Sequence, residues 1–273
     1  MESVLVLGGA GYIGCILTPR LLAEGYSVTV IDRLMYEHNG LLQCCSHDEF
    51  RFIRGDITDK ELISREVSRH DIIVPLAAIV GAPACAADPV RSRLVNHTAM
   101  MDLIELFHAS QMVLFPTTNS GYGVGEEGQY CTEDSPLRPV SSYGRDKVEV
   151  EKALLDQGSA ITFRLATVFG VSPRMRMDLL VNDFVYRAYK DRALVLFEEH
   201  FRRNYIHVRD VADTFLFGIT NYEQMRGEPY NVGLTEANLT KRQLAEQIQT
   251  YLPDLFIHAA EIGKDPDLSL IHI

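Results

Sequence analysis

A chain of 273 residues, 47% hydrophobic and 23% charged, is long enough to bury a substantial core and has a globular composition. Its formal net charge of −11 argues against a general nucleic-acid or anionic-membrane surface, so an anionic ligand has to be gripped by a local cationic pocket. No apolar run reaches membrane-spanning length, and the first residues lack the basic stretch of a signal peptide, which predicts a cytoplasmic protein.

Residues 3–7 read as a short buried strand, and 11–26 as an amphipathic helix in which Pro19 should remove a backbone bond. Strand-like runs recur at 27–31, 50–54, 72–76, 112–116 and 160–165. Helical patterns lie between most of them, at 59–67, about 88–110 and 142–155. This alternation predicts an α/β fold, a Rossmann-like doubly wound parallel sheet with strands buried on both faces. After 170 the pattern loosens: "SPRMRMD" is a polar loop, 178–190 a helix, 195–197 and 204–208 short strands, and 209–222 an apolar-periodic helix. Thr240 and Gln243 are placed to form a capping box for a helix over 241–252. Residues 1–170, with 204–222 returning to them, are expected to form the dinucleotide-binding domain. Residues 171–203 and 223–273 are expected to form a smaller substrate-binding lobe.

"GGAGYIG" places Gly8, Gly11 and Gly14 between the first strand and the first helix. One glycine permits the tight turn, one lets a pyrophosphate approach the backbone, and one lets helix and strand pack closely. The helix N-terminus then offers its N–H groups to the phosphates. Asp32 follows Gly14 by 18 residues, close to the distance expected of the acid that binds the adenosine ribose, and favours NAD over NADP. Arg33, beside it, would suit a 2′-phosphate and pulls the other way. Asp56 and Ile57, in "GDI", stand where adenine would lie, and Leu76, Ala77 and Ala78 where the fourth strand opens toward the cofactor. Tyr12, Ile13 and Asn96 complete the expected cofactor set. The histidines and cysteines show no ligand spacing, so no metal is expected, and the five cysteines should stay reduced.

"TTNSGYG" at 117–123 precedes "SSYGRDK" at 141–147. If Tyr143 opens a helix, Lys147 sits one turn on, on the same face, and an ammonium beside a phenol would favour the phenolate. Taken alone, a tyrosine four residues before a lysine is what chance supplies.

The motifs GGAGYIG, GDI, LAA, TTNSGYG, YGRDK and RRNYIHVRDV together resemble the extended short-chain dehydrogenase/reductase family of nucleotide-sugar epimerases and dehydratases, from Val4 to about Pro266. The resemblance implies a catalytic set of Thr118, Tyr143 and Lys147. Tyr143 would take the proton from a sugar hydroxyl, Lys147 would hold it deprotonated and touch the nicotinamide ribose, and Thr118 would hydrogen-bond the reacting oxygen. It also implies a nucleotide-sugar substrate gripped at the diphosphate by Arg203, with Val80 and Gly81 beside the sugar. Asn119, Ser120, Thr167, Arg174, Arg176 and Asn182 are further candidates for the substrate side. Sugar 4,6-dehydratases place an acid directly after the threonine. Asn119 and Ser120 stand there and cannot do acid–base work at neutral pH, so dehydration is not expected.

A narrower resemblance, in "PLAAIVGAP", "FRLATVFGVSPRMRMDLLVNDF" and "FEEHFRRNYIHVRDV", is to bacterial GDP-heptose 4-dehydrogenases of capsule sugar biosynthesis. It implies a GDP-sugar oxidised at C4 to a ketone. A C4 epimerase that retains its NAD uses the same groups, and a non-catalytic dinucleotide-binding sensor could share the fold. The pattern departs at the C-terminus: "LSLIHI" occupies 268–273, with Ser269 where the family has an arginine that helps bind the nucleotide. Family members usually dimerise through two helices per subunit, which implies a homodimer built on about 88–110 and 142–155. Met100, Met101, Ile104 and Leu154 face either a partner or the core.

Overall fold

An uninterrupted apolar run such as "SVLVL" cannot leave one face in water, so it demands helices on both sides. The computed structural model describes residues 1–36, 39–124 and 130–261, so Ser269 and the 268–273 segment lie outside the described residues. Its first part runs β1 (Ser3–Leu7), α1 (Gly14–Ala23), β2 (Ser27–Asp32), β3 (Phe50–Arg54), α2 (Lys60–Val67), β4 (Ile72–Pro75), α3 (Ala82–Ala87), α4 (Pro89–Arg93), α5 (Ala99–Ile104), β5 (Met112–Thr118), α6 (Ser142–Asp156) and β6 (Ala160–Leu165). Then come β7 (Thr167–Phe169), α7 (Leu180–Asp191), β8 (Ala193–Leu196), β9 (Arg202–His207), α8 (Val208–Thr220), α9 (Tyr222–Met225), β10 (Pro229–Val232), β11 (Asn238–Thr240), α10 (Lys241–Tyr251) and β12 (Phe256–Ala259).

Among the described residues, seven strands form one sheet in the order β10-β6-β5-β4-β1-β2-β3, and every pairing in it is parallel. This is the Rossmann-like α/β sheet expected. Side chains alternate between its faces. Val4, Val6, Val28 and Val30 pack with Leu17 and Leu21 of α1 and Phe215 of α8. Leu5, Leu7, Ile73 and Phe115 pack on the other side with Met100, Leu103 and Leu154. A third apolar cluster joins α7 and α10 to β8 and β9. No helix among the described residues is long and apolar enough to cross a membrane.

The structure differs from the expectation in two places. The helix expected over about 88–110 is interrupted. The Asp88 side chain accepts from Arg91 N and opens α4, with Pro89 in its first turn, and residues 94–98 then widen into a π-helical turn before α5. Asn96 sits in that turn with its side chain bonded to both Ile79 N (2.8 Å) and Ile79 O (2.9 Å). Met100, Ile104 and Leu154 are buried in the core, so of the four residues weighed for a partner only Met101 is partly exposed. Secondly, Pro229–Val232, expected in the smaller lobe, is the outermost strand of the main sheet, paired with β6. Proline is tolerated there because the outer edge of a sheet needs no ladder donor.

The capping box at α10 forms as expected, Thr240 Oγ1 accepting from Gln243 N at 3.0 Å. Thr240→Ala should lower stability by about 1 kcal/mol, a shift of roughly 2–4 °C in Tm by thermal melting.

Candidate active site

The turn after β1 is shaped by closeness rather than by side chains. A Cβ on Gly8, which has φ +79°, would stand 2.6 Å from Ala77 N, and one on Gly14 would stand 2.3 Å from Gly9 O. No side chain caps α1, so the N–H groups of its first turn are left to other partners. The Asp32 carboxylate closes the corner: Oδ2 accepts from Ala10 N at 3.1 Å and Oδ1 from Leu34 N at 2.8 Å. Each oxygen keeps a further lone-pair direction, which suits the vicinal hydroxyls of a ribose. A glycine cradle, a helix N-terminus and an acid at the second strand's end fit a dinucleotide. Asp32→Ala should weaken NAD binding about 10- to 100-fold by calorimetry, the worth of one charged hydrogen bond.

Asp56, placed by the sequence at the adenine edge, is already engaged. It accepts from Thr58 N (3.0 Å) and Thr58 Oγ1 (2.9 Å), and it pairs with Arg91 and with Arg33 Nη1 (3.3 Å). Burial opposes its charge, but Thr58 and Arg91 outweigh that and hold the carboxyl below its usual range. Arg33 is thus tied to an acid at the corner where a 2′-phosphate would need it. Ile57 is buried in the core, Leu76 N donates to Leu7 O (2.8 Å), Ala77 lies against Gly8, and Ala78 is half-buried beside it. Ile13 opens α1. Asn96 is fully buried and holds Ile79 through both of its backbone groups.

Tyr143 stands in the first turn of α6, which Ser141 caps by accepting from Gly144 N at 3.0 Å. Lys147 follows one turn on, 3% exposed. Its Nζ donates to Pro116 O at 3.0 Å and lies 4.3 Å from the centre of the Phe115 ring, both on β5. Burial lowers this amine to about 8. The sequence predicts a phenol made acidic by Lys147, and here the structure corrects the expectation. Burial pushes the Tyr143 phenol up, the Cys85 thiol adds to this, and the charge that pulls it down is the Arg176 guanidinium. The lysine shares the helix face but is aimed at the β5 carbonyl.

Thr118 ends β5 with Oγ1 accepting from Ser120 N and donating to Ser120 Oγ, both 3.1 Å. Asn119 is buried behind it and Ser120 is half-buried. The turn is anchored from below by a group that sequence reading missed. Glu151, one turn past Lys147, accepts from Arg164 Nε at 2.8 Å. Arg164 Nη1 also donates to Tyr122 Oη and Glu133 O, both at 2.9 Å, and Tyr122 donates to Asn231 Oδ1 at 2.6 Å. Only the position of Glu151 in the 143, 147, 151 face could have pointed to it.

The substrate candidates scatter. Val80 is exposed beside Gly81, whose φ of +100° suits glycine, in the loop before α3. Thr167 is half-buried on β7. Arg174 lies 3.7 Å over the Tyr36 ring, and Arg176 Nε donates to Asp178 Oδ1 at 3.1 Å. Arg203 is buried on β9, where its charge lowers the Tyr205 phenol against a larger burial effect. Asn182 is buried and turned inward. Its Nδ2 donates to Arg176 O (2.8 Å) and Tyr12 Oη (3.2 Å), and its Oδ1 accepts from Gly170 N (2.9 Å), so its amide braces the segment around Gly170.

The sequence pattern of the NAD dependent epimerase/dehydratase family matches residues 4–233. UDP-glucose 4-epimerase of Lactobacillus helveticus is 25% identical over 292 residues, taking in 97% of this chain and 87% of that protein. The crystal structure of the Thermus thermophilus UDP-glucose 4-epimerase in complex with NAD has 25% identity and a TM-score of 0.84, covering 100% of this chain and 90% of that one. DesIV, a dTDP-glucose 4,6-dehydratase from Streptomyces venezuelae with NAD and TYD bound, also has 25% identity, with a TM-score of 0.85 over 99% of this chain and 87% of its own. The family match spans most of the sequence, and the chain belongs to the NAD dependent epimerase/dehydratase family.

Proposed function

We propose that the protein is a nucleotide-sugar 4-epimerase that keeps its NAD through the cycle. What supports this reading is Thr118 at the end of β5 together with Tyr143 and Lys147 one turn apart on α6, with Asn119 and Ser120 where a dehydratase needs acids. NAD, when bound, supplies the acceptor for the hydrogen on C4 and gives it back. The chain's own residues handle the proton. Tyr143 takes it from the sugar O4 and returns it once the ketone has turned over, and Thr118 holds that oxygen. Burial favours the protonated phenol, so the base form has to be drawn out by the charge that opposes burial, the Arg176 guanidinium. Asp32 would hold the adenosine ribose, and Arg203 the diphosphate, in the lobe formed after residue 170.

A second reading, oxidation of a GDP-manno-heptose at C4 with release of the ketone, is favoured by the long similar segments at 75–83, 163–184 and 197–211. The relatives described above bear epimerase and dehydratase names and support the first reading. The two differ in what leaves the enzyme. Purified protein with NAD and a panel of UDP-, dTDP- and GDP-sugars should form a sugar isomer, seen by chromatography, without net absorbance from NADH. Stoichiometric NADH with a keto sugar would give the second reading instead. A homodimer is part of the proposal, supported by exposed Val90 and Leu94 along the first of the two candidate helices.

A further inference from the structure

Residues 170–178, between β7 and α7, touch both loops that face the cofactor. At one end the segment is tied to the glycine loop. Tyr12 Oη donates to Gly170 O at 2.6 Å, and Ser172 Oγ donates to Tyr12 O at 2.8 Å. Asn182 gathers Tyr12, Gly170 and Arg176 through a single buried amide, with bonds of 3.2, 2.9 and 2.8 Å. In its middle the segment lies along α1: Val171, Ser172 and Pro173 face Cys15, Ile16 and Pro19 across a groove of about 440 Å³. Farther on, the Arg174 guanidinium stacks 3.7 Å over the ring of Tyr36, four residues beyond Asp32.

The segment therefore runs from the phosphate cradle to the ribose corner, the two points between which a dinucleotide must stretch. Its ends differ in character. The Tyr12 end is buried and hydrogen-bonded, whereas Tyr36 is 57% exposed and is held at the surface by the stacked guanidinium. A planar cation on a ring face is a contact that breaks and re-forms without unfolding anything beneath it.

We propose that Tyr36 and Arg174 form a latch, and Asn182 its hinge-side strut, that closes the 170–178 segment beside the cofactor groove and slows the departure of NAD. These are positioning residues: they touch the segment, not the reacting atoms. The inference rests on the reading above only for the identity of the ligand. It deepens that reading, because a retained cofactor is what separates an epimerase from a dehydrogenase that must exchange NAD at every turnover.

The test is the dissociation rate of NADH from the full chain, followed by fluorescence after mixing with excess NAD and with no sugar present. Tyr36→Ala should release NADH about two- to fivefold faster than the wild type, Arg174→Ala should match it, and Tyr36→Phe, which keeps the ring, should behave as wild type. Wild-type rates in both alanine variants would overturn the latch, as would equal acceleration by Tyr36→Phe. A wild-type chain that takes up no NADH would overturn the latch and the cofactor assignment together. Failure to convert any sugar would count against the epimerase alone, since the rate is read without substrate.

Discussion

Tyr143→Phe should lower kcat by about two to four orders of magnitude while NAD still binds. Phe fills the same space in the first turn of α6, leaves the Ser141 cap intact and removes only the oxygen that carries the proton. The size follows from what the hydroxyl does in the proposed cycle. It takes the proton from O4 in one half and returns it in the other, so its loss is felt in both. A fall in kcat with little change in KM would show that the hydroxyl acts in the transition state and not in holding the sugar. Unchanged turnover would remove Tyr143 from the mechanism, and with it the reading of the 143, 147 face as catalytic.

The largest expected effect on stability lies one turn farther along the same helix. Glu151→Ala should cost about 3–5 kcal/mol in urea unfolding, because it strands the Arg164 guanidinium at 4% exposure with its Nε and Nη2 donors unmet. For a chain of this size that is a fall in Tm on the order of 10 °C. Replacing both partners together, Glu151→Leu with Arg164→Met, should cost much less, since no charge is left buried. Activity should fall with Glu151→Ala beyond what unfolding explains, because Arg164 also supports Tyr122 and the turn that carries Thr118. A small loss in the single variant, or an equal loss in the double, would mean that the pair is not what fixes that turn.

Much of this architecture is legible because strands covered on both faces read as near-continuous apolar runs. The apolar runs at 3–7 and 160–165 coincide with β1 and β6 to the residue, and 50–54 coincides with β3, an edge strand that alternates and buries no residue fully. β10 escaped because "PYNV" buries only Val232 fully and begins with proline, so it lacks the run that marks its neighbours. The break near residue 88 was present in the sequence as Asp-Pro, a cap followed by a first-turn proline, but the apolar periodicity beyond it masked the signal. At the site, spacing along one helix placed Tyr143 and Lys147 together. It could not show that Lys147 points to Pro116, nor that Arg176 is the charge felt by the phenol, because those contacts join residues 31 positions apart or more. Asn182 illustrates the same limit. Its residue type suited a sugar contact, and only its three partners, one of them 170 positions away, show that it braces the backbone.

The central claim is that the hydrogen removed from C4 returns to the same carbon without leaving the enzyme. The measurement that tests it most directly is the fate of deuterium placed at C4 of a nucleotide sugar that the protein converts, read by mass spectrometry and NMR of the product. The account predicts the C4 epimer with its deuterium retained at C4 and no label in free NADH. A keto sugar without deuterium, matched by labelled NADH in solution, would contradict it and establish a dehydrogenase.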